Sequence, residues 1–203
     1  METPLFKPIG TDVDLLDTPS LVVDVSILDQ NIESMHSFFR GVKANLRPHV
    51  ESHRCPSIAR KQIADNDDSV EGIAVSSLSQ AEVFSNAGFG DIFITNMIVT
   101  PQKISRLCAL ARKTKVTVCV DNKINVISLS QAAFINQVNL NVAIYINTGL
   151  IHYGVNPGRQ AIELAEEILS TQGLEFVGLI SHSPKDTDGG QQFDNESSRS
   201  HIQ

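Results

Sequence analysis

The sequence predicts an α/β fold, and within that class an incomplete (β/α)8 TIM-type barrel with about seven strands. Short runs rich in β-branched residues alternate with helical stretches, which is typical of a parallel sheet with crossover helices. Several runs are apolar at successive positions, as in strands that are covered on both faces. The first run is followed by Asp24-Val25-Ser26 rather than a glycine-rich phosphate loop. The structural alternative, an open doubly wound sheet, is therefore disfavoured.

Seven segments are predicted as strands. In chain order they are residues 20–25, 45–50, 70–77, 91–96, 115–121, 140–147 and 175–182. Their spacing leaves room for one helix between neighbours, which favours the barrel. An eighth strand is not visible, so we expect the barrel to be incomplete.

Six helices are predicted between these strands from apolar residues at helical spacing and from start and stop residues. The predicted starts are Ser26 as a cap, Pro56 in a first turn, Leu78, Thr100 before Pro101, Asp121 or Asn122 as a cap, and Gln160. The predicted ends include Gly41, Gly88 and Ser170. These helices form the outer layer of the predicted barrel.

The charge balance limits the partners that the chain can have. Of its 203 residues, 23 are acidic and 16 are basic, which gives a formal net charge of −7. We therefore expect neither a nucleic-acid partner nor a membrane surface that binds through a basic face. The amino terminus has no apolar block of the signal-peptide type, and the three cysteines are scattered. Both features predict a cytoplasmic protein.

Three regions are predicted from the composition. Residues 1–16 form an amino-terminal extension, residues 17–185 form the barrel, and residues 186–203 form a flexible polar tail. The tail is rich in Gly, Gln and Ser and has few apolar residues, so it cannot bury a core of its own.

The working residues of such a barrel project from the carboxyl ends of its strands. The candidates at these positions are His49, Glu51, His53, Ser76, Ser77, Thr95, Asn96, Asp121, Asn147, Thr148, Gly149, His152, Tyr153, Ser181, His182 and Ser183. Among them, His49, Glu51 and His53 are spaced i, i+2 and i+4, so a strand would place all three on one face as potential metal ligands. The alternative is a hydrogen-bonded polar cluster in which Glu51 pairs with Arg47, Arg54 or a histidine.

Several motifs carry a resemblance to a known family. They are the frame from Asp17 to Asp24, the run RPHVESHRCP at residues 47–56, the run Gln80-Ala81-Glu82-Val83, residues 91–96, residues 116–121, the glycine pair in residues 149–155, and Gly178-Leu179. In collinear order they resemble the D-threonine aldolase and D-serine dehydratase family. These are metal-activated pyridoxal phosphate lyases of fold type III, related to alanine racemase, that act on D- or β-hydroxy amino acids. The resemblance implies an alanine-racemase-like barrel, from which we expect the family's carboxyl-terminal β-domain to be missing.

The resemblance also implies site residues. It places His49, Asn96, Gly149, His152, Gly154 and His182 at cofactor-binding positions. Glu51 occupies the position of the lysine that forms the Schiff base with pyridoxal phosphate, and His53 is the second catalytic position. His152 replaces a family arginine, and His182 replaces a family tyrosine. Gly149, Gly154 and the segment from Ser181 to Ser183 could offer part of a cradle for the cofactor phosphate, and the alternative is that the two glycines serve only tight turns.

These departures predict an impaired member of the family. A carboxylate cannot condense with an aldehyde, so Glu51 is predicted to be non-functional and covalent binding of pyridoxal phosphate is not expected. Lys43 and Lys185 are poor replacements, because Lys43 precedes the second strand and Lys185 borders the tail. A divalent metal is not expected in this chain either.

Two classes of function remain after these observations. The chain is either a pyridoxal phosphate lyase for small-molecule amino acids or a non-catalytic pseudoenzyme or fragment. A metal-binding barrel that uses His49, Glu51 and His53 is a further alternative. An incomplete barrel exposes a strand edge and apolar surface, so self-association is also expected.

Overall fold

The structure is a computed structural model that describes residues 7–64, 70–149 and 153–182. Its described residues contain one parallel sheet with five strands in sequential order. The strands are β1 (Ile73–Val75), β2 (Asp91–Met97), β3 (Lys115–Val120), β4 (Leu140–Ile146) and β5 (Leu174–Ser181). A doubly wound sheet reverses its strand order at a switch point, whereas this order runs in one direction. The topology is therefore that of a barrel-type winding.

The six predicted helices are present in the described ranges. They are α1 (Val25–Phe39), α2 (Pro56–Ile63), α3 (Leu78–Asn86), α4 (Pro101–Ala111), α5 (Lys123–Asn136) and α6 (Arg159–Leu169), and a short 3₁₀ helix covers Val13–Leu15. Asn122 caps α5 by accepting a hydrogen bond from the backbone of Asn125. The predicted cap of α1, Ser26, is wrong. Asp24 caps that helix instead, because its carboxylate accepts bonds from two backbone amides of the first turn.

None of the helices in the described ranges combines the length and the hydropathy that a bilayer crossing needs.

The hydrophobic core lies between the sheet and one layer of helices. Alternate strand residues, such as Ile92, Val118 and Ile144, are fully buried and join a single cluster with buried residues from α2 to α6. Leu107 of α4 and Leu129 of α5 are typical of the helical contribution. Because side chains alternate along a strand, the remaining residues face the opposite side of the sheet.

The first predicted strand is wrong. Residues 20–24 form no strand, and α1 already begins at Val25. Leu21, Val22 and Val23 are exposed to 104%, 63% and 51%. An apolar run becomes a strand only when a neighbouring backbone pairs with it, and no such pairing is found for these residues in the described part of the chain.

The second predicted strand is also wrong as a regular element. Residues 45–50 form only two isolated bridges, from Leu46 to Val70 and from His49 to Ala74. Pro48 lies between the bridges and has no backbone N–H, so a continuous ladder cannot form there. The segment nevertheless lies beside β1 in parallel orientation. The described sheet therefore has five strands and one bridged neighbour rather than seven strands.

An ion-pair cluster closes the amino-terminal edge of the sheet. The carboxylate of Asp91 at the start of β2 lies 2.7 Å from Arg47 and 2.9 Å from Lys115. Arg47 also lies 3.9 Å from Glu71. Burial raises the pKa of Asp91, but the hydrogen bonds and charges of Arg47 and Lys115 outweigh burial and hold this pKa below its usual value of 3.8. Asp91 thus links the bridged segment, β2 and β3, and Arg47 does not pair with Glu51.

We expect Asp91→Asn to lower the free energy of unfolding at neutral pH by about 1–2 kcal/mol. The folded-state pKa is depressed, so this contribution is present above pH 3.8 and is lost as the pH falls through the folded-state value. Urea denaturation of both proteins from pH 7 to pH 3 measures the effect. Asp29→Asn, which removes an exposed pair with Lys61, is the control and should cost less. Equal losses of unfolding free energy in both variants would contradict the stabilising role of the Asp91 cluster.

Candidate ligand site at the carboxyl ends of the strands

One face of the sheet points away from the helices. Ala74, Cys119, Ala143 and Tyr145 are buried but are absent from the helix-facing cluster. Because all five strands run parallel, the polar residues at their ends lie at one edge of the sheet. These residues are Ser76 after β1, Thr95 and Asn96 in β2, Asp121 after β3, Asn147 after β4 and His182 after β5. The predicted site therefore lies at the edge of the sheet that the carboxyl ends of the strands form.

Glu51 is held at this edge by a hydroxyl group. The Ser76 hydroxyl donates a hydrogen bond to Oε2 of Glu51. The other carboxylate oxygen lies 3.7 Å from the Arg54 guanidinium, in a pair whose side chains are 44% and 67% exposed. Asn96 then donates to the Ser76 carbonyl oxygen at 2.8 Å, which links β1 to β2. Glu51 is thus part of a hydrogen-bonded polar cluster, with Arg54 as its cation.

His49 and His53 have different neighbours. Nε2 of His49 lies 3.3 Å from the Thr95 hydroxyl, which in turn donates to the Val75 carbonyl oxygen. Nε2 of His53 lies 3.0 Å from Oε1 of Gln62 in α2, and its Nδ1 accepts a bond from the Cys55 backbone. His53 therefore contacts the start and end of α2 rather than the strand ends.

The metal alternative for His49, Glu51 and His53 assumed an extended strand. Residues 50–53 instead form a turn, closed by a 2.8 Å bond from the Arg54 amide to the Val50 carbonyl oxygen. The turn breaks the i, i+2, i+4 alternation on which the shared face depended. Within the described ranges, no group of three His, Cys, Asp or Glu side chains is arranged to hold a metal ion.

Gly149 and Gly154 shape the backbone that follows β4. Gly149 has φ 104° and donates to the Asn147 side chain at 2.9 Å. Gly154 has φ 99° and donates to Asp121 at 3.3 Å. A Cβ atom at Gly154 would lie 2.9 Å from the Asn147 backbone nitrogen. Both backbone amides are thus engaged by side chains, one of them a carboxylate.

Two tyrosines and a cysteine lie beside this loop. The rings of Tyr145 and Tyr153 are 4.8 Å apart and pack edge to face. Burial, together with a hydrogen bond to Tyr153, raises the pKa of Tyr145 to about 12. Burial and the nearby Asp121 charge raise the pKa of Cys119 to about 12, so this thiol stays protonated and is a buried small side chain rather than a nucleophile. Cys55, by contrast, is only half-buried.

A cavity of about 670 Å³ lies where β4, β5 and the start of α6 meet. Ile146, Ala161 and Leu179 supply much of its apolar wall. Gly149 and Ser181 line the same cavity. Its volume is in the range of small-molecule sites. His182 is exposed just beyond it, and its carbonyl oxygen accepts a bond from Thr148 at 2.8 Å.

Three predicted positions, His152, Ser183 and Lys185, lie outside the described residues, as does the predicted tail 186–203.

Sequence reasoning missed two contributors. Gln62 binds His53 from α2, and no local pattern connects these residues, because the contact depends on the turn after His49. Tyr145 escapes a sequence search because it lies inside a strand that reads as uniformly apolar. Its place on β4, two residues before Asn147, is the signal that could have found it.

A sequentially wound parallel sheet with polar side chains at its carboxyl-terminal edge defines a barrel-type α/β protein with a candidate ligand site at that edge. The alanine racemase N-terminal domain family matches residues 23–200 of this chain. D-threonine aldolase of Arthrobacter sp. is 35% identical over 173 residues, which are 85% of this chain and 45% of that protein. The 3-hydroxy-D-aspartate aldolase of Paracoccus denitrificans is 29% identical over 183 residues, which are 90% of this chain and 47% of that protein.

A solved structure shows the same similarity to D-threonine aldolase. The crystal structure of D-threonine aldolase from Filomicrobium marinum matches with a TM-score of 0.77 and 34% identity, over 81% of this chain and 43% of that chain. The chain therefore belongs to the alanine racemase N-terminal domain family, within the group that contains D-threonine aldolase and D-serine dehydratase. The predicted family and fold class are confirmed. The chain spans less than half the length of the curated relatives it matches.

We expect Gly154→Ala to lower the free energy of unfolding by about 2 kcal/mol or more. The left-handed backbone costs about 1–2 kcal/mol for alanine, and the added Cβ also meets the Asn147 backbone. Gly88→Ala is the matched control, because Gly88 has φ 93° and a Cβ added there would meet no atom of the described residues within 4 Å. Chemical denaturation of both variants measures the difference. A smaller loss of unfolding free energy in Gly154→Ala than in Gly88→Ala would contradict the close approach between residue 154 and the Asn147 backbone.

Proposed function

We propose that this chain retains the barrel of a pyridoxal phosphate lyase for D- or β-hydroxy amino acids but is catalytically impaired. The observation that carries the proposal is the position of Glu51. In the family's second-strand motif this position belongs to the lysine that captures the cofactor aldehyde, whereas here a carboxylate bonded to Ser76 occupies it. A carboxylate has no nitrogen with which to form an imine.

Other lysines of the described ranges do not offer a replacement. Among the described lysines, Lys123 is the nearest in sequence to the carboxyl end of a strand, because it follows β3. Its ammonium lies 2.7 Å from Glu167 of α6. Lys43 precedes the bridged segment and therefore belongs to the opposite edge of the sheet. Both positions support the proposal that no amine takes over the role of the missing one.

The glycine positions predict only weak noncovalent binding of the cofactor phosphate. A phosphate group binds to free backbone amides. The Gly154 amide is bonded to the Asp121 carboxylate, and the Gly149 amide is bonded to Asn147. The residues present thus do not match a covalently bound pyridoxal phosphate, and on this proposal the chain by itself neither cleaves D-threonine nor dehydrates D-serine.

The alternative, a wholly non-catalytic pseudoenzyme, follows from the same residues. It differs from the first proposal only in whether the chain still binds a ligand. The described cavity next to β4 and β5 favours a chain that still binds a small molecule. The metal-binding alternative loses its main support, because residues 50–53 form a turn rather than a strand.

We further propose a cytoplasmic location and self-association. Cys55, Cys108 and Cys119 are all free thiols, as a reducing compartment favours. At the edge of the described sheet, β5 exposes Val177 and Leu179, which favours contact with a second copy.

Borohydride reduction in the presence of pyridoxal phosphate tests the proposed function. We expect the full chain to carry no site-specific lysine adduct in peptide mass mapping. Glu51→Lys should gain one stable adduct at residue 51, because it restores an amine beside Ser76. Glu33→Lys has the same change of charge on the exposed side of α1 and should show only background labelling.

A single, stoichiometric adduct on any lysine of the unmodified chain would contradict the proposal. An adduct in Glu51→Lys that equals the Glu33→Lys background would show that residue 51 does not face the cofactor, and would also contradict it.

A further inference from the structure

Glu51 offers a carboxylate oxygen that is only loosely paired. Its Oε2 accepts the Ser76 hydroxyl, whereas its Oε1 has, within the described residues, only the Arg54 guanidinium at 3.7 Å. That separation exceeds hydrogen-bond length. Both side chains are substantially exposed, and such pairs contribute little free energy. A better placed cation can therefore replace Arg54.

Within the described residues, Arg54 is the cation that pairs with Glu51. Ser76, Thr95 and Asn96 carry no charge, and each is already oriented by a bond to the backbone or to Glu51. The Asn96 amide nitrogen donates to the Ser76 carbonyl oxygen, so its side-chain oxygen remains as an acceptor. The Thr95 hydroxyl donates to the Val75 carbonyl oxygen and lies 3.3 Å from Nε2 of His49, so it keeps at least one lone pair. The edge is thus rich in acceptors around one negative charge.

This arrangement suits an ammonium group better than a metal ion. An ammonium has three N–H donors and needs one charge partner with neutral acceptors nearby. A metal would need several ligating side chains, and no group of three such ligands is arranged for this purpose in the described part of the chain. His53, the third member of the possible ligand set, contacts Gln62 instead.

We propose that Glu51, supported by Ser76, binds the primary ammonium group of a small ligand. This inference rests on the proposed function, because it takes the carboxylate to stand where an amine would meet an aldehyde. A carboxylate stands in the place of an amine, so the group of the ligand that is preferred there changes from an aldehyde to an ammonium. No covalent step is involved.

Three phosphorylated forms of vitamin B6 test the proposal, since they differ only in the substituent at one position of the ring. Pyridoxamine 5′-phosphate carries an ammonium, pyridoxine 5′-phosphate a hydroxyl and pyridoxal 5′-phosphate an aldehyde. Calorimetric titration of the full chain should show the ammonium form binding about tenfold more tightly than the hydroxyl form. The preference should weaken as salt is added.

Variants separate the carboxylate from the rest of the protein. Glu51→Gln should reduce the ratio of the two affinities to about one, whereas Glu33→Gln, with the same charge change on α1, should leave it unchanged. Arg54→Gln should raise the affinity for the ammonium form about twofold or more, because it removes the competing cation.

Equal binding of the ammonium and hydroxyl forms, or no measurable binding of the ammonium form, would overturn the ammonium site. Neither result affects the borohydride experiment, which tests the absence of a lysine adduct. Conversely, a lysine adduct on the unmodified chain would overturn the proposed function even if the ammonium form bound well.

Discussion

The parallel, sequential pairing of β1 to β5 is the constraint on which the rest of the structure depends. It places the amino ends of the strands at one edge, where Asp91 gathers Arg47 and Lys115. It places the carboxyl ends at the other edge, where Glu51 and Ser76 meet. Because one face of every strand packs against helices, the side chains of the opposite face point away from the helices.

The sequence predicts the helices well because their signals are local. Apolar spacing, Pro56 and the Asn122 cap lie within a few residues of the elements that they define. The first two strands depend on a partner backbone elsewhere in the chain, so the apolar run Leu21–Val23 looks like a strand yet stays exposed. For the site, the edge can be predicted from topology. The turn at residues 50–53 separates His53 from Glu51. It cannot be predicted from the two-residue alternation of side chains, because that alternation holds only if the segment is a strand.

On the proposed function, the side chain of Glu51 separates this chain from the chemistry of its family. The family is shown by the match to D-threonine aldolase, which covers 81% of this chain and 43% of that chain. We propose that Glu51 brings a negative charge and oxygen acceptors to the point where the family's reaction needs a nucleophilic nitrogen. On both proposals, a carboxylate that cannot capture an aldehyde favours an ammonium ligand, so the proposed loss of one function and the proposed gain of another have one physical cause.

The visible absorption spectrum of the purified full chain, titrated with pyridoxal phosphate, tests the central claim most directly. An imine with a protein lysine produces a yellow absorption band that survives dialysis. We predict that the spectrum remains the sum of free cofactor and protein at every ratio and that dialysis removes all cofactor. A yellow band that persists with one cofactor per chain would contradict the account.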